Sequence, residues 1–213
     1  MALRQRTSYG PSVVIYTGIG SRETPADILS LMTQLAALLG KAGWTLRSGA
    51  AAGADSAFEA GALAANATRE IYLPFAGFRG HKSPLNTVSD QALRRAEATH
   101  PAWGQLNRTA RLLHARNVYQ VLGPSLSVPS DMAICWTPDG CESESTRSIR
   151  TGGTGTAIAL ADRASVPVFN LKNEASRVRL YDELLKCLDA PLNQAAQLDF
   201  LIKGCSMPQG SLF

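Results

Sequence analysis

The stretch "TGGTGTAIALADRASVPVFNL", residues 151–171, decides how the chain is read. Glycines run into a helical pattern of small apolar residues, and the helix runs into a β-branched strand. A glycine turn that opens a helix leaves unpaired backbone N–H groups and a partial positive charge at the helix start. That arrangement is a ready anion site. Two other loops share its character. "TGIGSRETP" (17–25) follows the apolar run 12–18, and "RSGAAAGADS" (47–56) ends the strand-like run "WTLRSG" (44–49) and begins a second small-residue helix.

Around these loops, apolar strand-like runs alternate with helical patterns. Strands are expected at 12–18, 44–49, 69–75, 130–140 and 166–171, and helices at 24–43, 53–66, 105–123, 154–163 and 177–189. Thr24 reads as an N-cap, with Pro25 in the first turn and Asp27 at capping-box spacing. Ile28, Leu31, Leu35, Leu38 and Leu39 share one helical face. Residues 76–101 read as less regular, with "AGFRGHKSPLN" (76–86) as a long functional loop. The strands are near-continuous apolar runs, as in sheets covered on both faces. The pattern predicts an α/β fold: a Rossmann-like, doubly wound parallel sheet in a single domain. The domain is expected over 1–190, with 191–213 as a tail.

Composition bounds the class. The 213 residues are 45% apolar and 18% charged, which is globular and not disordered. The net charge of +4 and pI of about 9.0 favour phosphate-bearing partners mildly. No apolar run approaches membrane-spanning length, and no apolar segment follows the basic start, so neither a span nor a signal peptide is expected. Cys135, Cys141, Cys187 and Cys205 form no CxxC pair and lack a histidine at ligand spacing, so no metal is expected. The thiols read as free, in a cytoplasmic protein, with Cys135 a small buried hydrophobe.

In an open α/β sheet, ligands bind beyond the carboxyl ends of the strands. The three loops therefore nominate Gly18, Gly20, Ser21 and Arg22; Ser48, Gly49, Gly53 and Asp55; and Gly152, Gly153, Thr154, Gly155 and Thr156. Arg22 suits a bidentate phosphate clamp. Ser48 can donate to a phosphate, and Asp55 can accept from a ribose hydroxyl or cap its helix. "GIGSRE" lacks the third glycine of a dinucleotide fingerprint, and Arg47-Ser48-Gly49 stands where an acidic ribose ligand is needed. "GGTGTA" lacks the Lys-Ser/Thr of a P-loop. No dinucleotide cofactor is expected.

The motifs carry a resemblance. "GSR" (20–22), "SGAAAGADSAFEAGAL" (48–63) and "ARN" (115–117) resemble segments of the DprA/Smf DNA-processing proteins. "TGGTGTAIALA" is similar to the helix-opening loop of that family and to the PGG-x-GT-x-x-E loop of the LOG phosphoribohydrolases. Both belong to the SLOG superfamily, and the resemblance spans roughly residues 13–171. It implies binding of a nucleotide or of single-stranded DNA through phosphates, in DNA metabolism, and adds Arg116 and Asn117 as backbone contacts. The departures are Glu59 for a family histidine, Val118 for the second arginine of RNR, Thr151 for the LOG proline and Ala159 for the LOG glutamate. Without that glutamate, cleavage of an N-glycosidic bond needs another carboxylate, and Glu142, Glu144 and Glu59 are the candidates. The alternatives are a phosphoribohydrolase or deoxyribosyltransferase-like enzyme, and a sensor of a nucleotide signal.

Three further features complete the reading. Arg79, His81 and Lys82 alternate with Phe75 and Phe78, which suits either single-strand stacking or a lid. His100 and His114 show no partner and read as structural or exposed. Gln209, Leu212 and Phe213, in "MPQGSLF", resemble the peptide by which bacterial replication proteins bind the sliding clamp, with Gly210 in place of an apolar residue. A second copy of the chain is also compatible; a membrane is not an expected partner.

Overall fold

The computed structural model describes residues 13–188 together with 198, 199 and 202. The expected tail site at Gln209, Leu212 and Phe213, and the boundary drawn at residue 190, lie outside the described residues.

Five strands form one parallel sheet: β1 (Ile15–Gly18), β2 (Thr45–Ser48), β3 (Arg69–Ile71), β4 (Met132–Cys135) and β5 (Val168–Asn170), in the order β3-β2-β1-β4-β5. Register places Tyr16 beside Leu46 on one side and Met132 on the other. The chain leaves β1 toward β2 and β3, then returns across the sheet to β4. The order therefore reverses between β1 and β4, which opens a crevice at their carboxyl ends. The fold is the Rossmann-like doubly wound α/β domain that the alternation predicts.

Helices cover both faces. On one lie α1 (Ala26–Lys41), α2 (Ala54–Ala64) and α6 (Glu174–Leu188), whose Leu31, Leu35, Phe58, Leu180 and Leu184 join Tyr16, Leu46 and Ile134 in a core. On the other lie α3 (Asp90–Glu97), α4 (Arg108–Leu122) and α5 (Thr154–Arg163), with Val118, Val121, Ile158 and Ala161 packed on Ala133 and Cys135. The small residues of α2 let it approach α1 closely: a Cβ at Gly61 would stand 2.0 Å from the Thr33 carbonyl oxygen. The Cys135 thiol is fully buried, which pushes its pKa up and leaves it inert.

Two local expectations are corrected. Thr24 does not cap α1. Its hydroxyl donates back to the Ser21 carbonyl at 2.7 Å, and the helix starts behind Pro25 without a side-chain cap. The less regular segment 76–101 holds a helix that was not expected. It contains α3, capped by Ser89, whose hydroxyl accepts from Ala92 N at 3.2 Å. Only Ala92 and Ala96 of this short, charged helix are buried, so apolar periodicity gave no signal for it.

Candidate functional site

A cavity of about 600 Å³ opens at the reversal point between β1 and β4. Ligand cavities run from about 300 to 1,000 Å³. Its walls come from all three glycine loops and from one face of α4. Among the expected residues, Gly20, Ser21, Arg22, Asp55, Arg116, Asn117, Gly152, Gly153 and Thr154 line it. A larger hollow, lined by Asp131, Asp162, Val166 and Asp182, lies at the opposite ends of β4 and β5, away from every glycine loop.

The loop before α5 is the most open part. Gly152 sits at φ 61°, ψ −150°, a conformation that side-chain-bearing residues rarely adopt. Gly153 is the N-cap of α5, and a Cβ there would meet nothing within 4 Å. Asn117 holds this turn by donating from Nδ2 to the Gly153 carbonyl at 3.0 Å. From the other side, the Asp139 carboxylate accepts from Ser148 Oγ at 2.6 Å and Thr151 Oγ1 at 2.5 Å. Partial burial alone would raise the Asp139 pKa, but these hydroxyl bonds, with Thr137, outweigh it and hold the group at about 2. The turn is thus fixed: the Gly152 and Gly155 N–H groups bond within it to the Ile149 and Gly152 carbonyls, and Gly153 and Thr154 at the helix start line the cavity, a suitable place for an anion.

The other glycines serve packing. A Cβ at Gly18 would stand 2.6 Å from the Phe58 ring, and one at Gly155 2.8 Å from Arg147 Cδ. Gly20 fits against Ala54 and Trp136, and Gly53 against the Ser21 carbonyl. Ser48 is buried and donates to the Gly18 carbonyl at 2.7 Å, so its hydroxyl ties β2 to β1 behind the cavity wall. Thr156 is buried and hydrogen-bonded to His114 Nδ1 at 2.8 Å. Of these six, only Gly20 lines the cavity.

The floor is a buried ion pair. Arg116 Nη1 donates to Asp55 Oδ2 at 3.0 Å, and each side chain is 5% exposed. Burial raises the Asp55 pKa, and the Arg116 charge offsets this only in part. Room for the guanidinium comes from Gly49, where a Cβ would fall 1.2 Å from Arg116 Nη1. The neighbouring Ala50 is held at φ 56°, a strained value for a residue with a side chain.

Gln120, Arg150 and His114 are among the lining residues that were not nominated. Gln120 belongs to the floor and is almost fully buried. Arg150 is exposed at the rim, beside Ile149, whose side chain is 97% exposed. His114 corrects the expectation that it has no partner: besides Thr156, it meets His100 edge-to-face with centroids 4.4 Å apart. Burial, helped by His100, Arg116 and Arg147, lowers its pKa to about 4, so it is neutral at pH 7. The helical spacing of Ala110, Leu113, His114, Asn117 and Gln120 with Arg116 was the available signal. They share one face of α4.

The carboxylates nominated for bond cleavage stand elsewhere. Glu144 makes a two-pronged pair with Arg163, at 2.7 and 2.5 Å, which lowers its pKa. Glu142 pairs with Arg179 and accepts from Asn173 Nδ2 at 2.8 Å. Glu59 accepts from His81 Nε2 at 2.7 Å. None lines the cavity. The Phe75 and Phe78 rings pack edge-to-face on each other, and the loop that carries Arg79, His81 and Lys82 lies off the cavity as well. Arg22 and Arg150, by contrast, line the cavity and carry no ion pair among the described residues.

No family model, curated protein or solved structure matches the chain. Among the described residues there is no cluster of three or more potential metal ligands, and no helix long and apolar enough to cross a membrane.

Proposed function

We propose that the chain is a DprA-like binding module of the SLOG type, acting in DNA metabolism, that holds the phosphate of a nucleotide, free or within a single strand. The phosphate lies against the Gly152-Gly153 backbone at the start of α5, and Arg22 and Arg150 close on it. One observation carries the reading. The only unobstructed glycine turn among the three opens a ten-residue helix into the same cavity that Arg22 and Arg150 line, two guanidinium groups without ion pairs among the described residues. An anion there meets backbone N–H groups, the helix charge and two donors with forked geometry.

The N-glycosidase alternative is weaker. Glu142, Glu144 and Glu59 are engaged by basic partners outside the cavity, and the Asp55 carboxylate is neutralised by Arg116. General acid–base help of roughly 10²–10⁴-fold then has no free carboxylate at hand apart from the exposed Glu23. The nucleotide sensor remains compatible, since it needs the same binding. The test is a thermal-shift screen of nucleoside monophosphates and short single-stranded DNA, with base release followed in parallel. Stabilisation without base release is expected. Absence of any stabilisation overturns the phosphate reading, and base release that is lost in Glu142→Ala or Glu144→Ala restores the enzyme.

A further inference from the structure

Among the described residues, His114 is the one histidine that lines the cavity. It stands one turn of α4 before Asn117, which holds the Gly153 carbonyl, and its Nδ1 is hydrogen-bonded at 2.8 Å to the Thr156 hydroxyl in the first turn of α5. The ring therefore sits beside the helix start against which the phosphate is placed. The residue is half-buried. Its second nitrogen, Nε2, makes no bond among the described residues, and it keeps accessible surface, unlike the fully buried unpaired atoms of Arg116 and Gln120.

The two imidazoles of this wall differ in what protonation costs them. His100 meets His114 edge-to-face with centroids 4.4 Å apart, and its Nδ1 accepts from Ala102 N at 3.2 Å. A proton on that nitrogen displaces the bond. His114 loses nothing on protonation, because both nitrogens become donors: Nδ1 to the Thr156 oxygen and Nε2 to a group in the cavity. In the empty protein the surroundings oppose the charge. Burial lowers the His114 pKa, and His100, Arg116 of the same helix and Arg147 of the loop before α5 lower it further, to about 4. Arg111, one turn earlier, lies over the Trp103 ring at 5.7 Å, and Arg147 is 3.8 Å from Glu144. The first turn of α5 adds only neutral side chains. Across the cavity stand Arg22 and Arg150, the exposed Glu23, and Asp55, which is paired with Arg116. Cations thus outnumber anions around the ring, and a phosphate at Gly153 supplies the missing counter-charge.

We propose that His114 binds the phosphate as a protonated ring, through Nε2–H, so that the anion enters the cavity together with a proton. This rests on the phosphate reading above and adds a ligand from α4 to the donors named there. An opposite charge within about 4–6 Å lifts a histidine pKa by about 1–3, which carries His114 from about 4 in the empty protein to about 6 in the complex. Between these values the complex holds a proton that the empty protein lacks. Affinity therefore rises as pH falls through about 6 and levels off below about 4.

The experiment is calorimetric titration of the full chain with a short oligothymidylate at about pH 5 and about pH 7.5, in buffers of low and high ionisation heat. Phosphodiesters and thymines keep a constant charge over this range, so a proton taken up goes to the protein. Binding about tenfold tighter at the lower pH, with uptake of most of one proton there, is expected. His114→Gln keeps an amide but does not titrate, and both effects should vanish in it. Ring-proton NMR of the wild-type chain, which has three histidines, reads the same event without a variant: one signal should titrate near about pH 6 only in the complex. Thymidine 5′-monophosphate is the second probe, read by NMR alone because its own phosphate titrates near about pH 6, and it separates a free nucleotide from a strand as the source of the phosphate. Binding with no proton uptake and no shifted histidine signal overturns the proposal and leaves the phosphate reading intact. A pH dependence that survives in His114→Gln also overturns it and assigns the proton to another group, such as Glu23. Failure of both probes to bind at either pH overturns the phosphate reading and the proposal together.

Discussion

At Gly153, stability and binding are expected to respond in opposite directions. The residue has φ −61° and ψ −24°, ordinary right-handed helical values, and its missing Cβ points into open space. Nothing in the fold requires glycine there. Gly153→Ala should raise stability by about 0.4–1 kcal/mol, because the unfolded chain loses conformational freedom and the native backbone is unstrained. The bond from Asn117 Nδ2 uses the residue 153 carbonyl and survives the change. Binding should suffer, since the new methyl occupies the path to the helix N–H groups. Gly153→Asp adds a charge. A carboxylate about 4 Å from one phosphate charge, at an effective dielectric of about 20, costs about 4 kcal/mol. That corresponds to a loss of affinity of roughly a thousandfold. Urea unfolding and calorimetric titration with a nucleoside monophosphate read the two effects separately. A folded Gly153→Asp protein with wild-type affinity would refute the placement of the phosphate, and a strongly destabilised Gly153→Ala would refute the reading of the backbone.

Other perturbations separate the remaining parts. Arg22→Ala and Arg150→Ala should each weaken nucleotide binding about tenfold or more and move stability by less than about 0.5 kcal/mol, in the same two assays. Gly49→Ala should evict Arg116 from its place beside Asp55 and destabilise by about 3–5 kcal/mol, seen as a drop in the urea midpoint. The His114 pKa of about 4 in the folded chain lies below its ordinary 6.5, so between these values the unfolded chain binds the extra proton. Stability from this group is full above about pH 6.5 and falls as pH drops to about 4; His114→Gln should flatten that part of a midpoint-versus-pH curve. A labelled peptide of residues 204–213 should bind bacterial sliding clamp more tightly than its Leu212→Ala/Phe213→Ala control, and equal fluorescence titrations would remove the tail from the functional reading.

Local pattern carried the architecture. Five apolar runs, each followed by a helical period and glycine punctuation, suffice for a doubly wound parallel sheet, because strands covered on both faces must be apolar throughout and crossovers between parallel strands need helices. The Gly152-Gly153 turn was legible for the same reason: its signal is the backbone freedom of neighbouring residues. What the sequence could not order were contacts made across the sheet. Gly49 and Arg116 stand 67 positions apart, and only the packing of α4 over the β2 exit shows that the glycine is the socket of the guanidinium. Gly18, Gly155 and Ser48 look like phosphate ligands in a linear reading, yet Phe58, Arg147 and the Gly18 carbonyl occupy them. Glu142 and Glu144 stand close before the glycine loop in sequence, and Arg179 and Arg163 draw them away. Small size and charge are properties of a residue, but whether they face a ligand, a helix or a counter-ion depends on which distant segment packs against them.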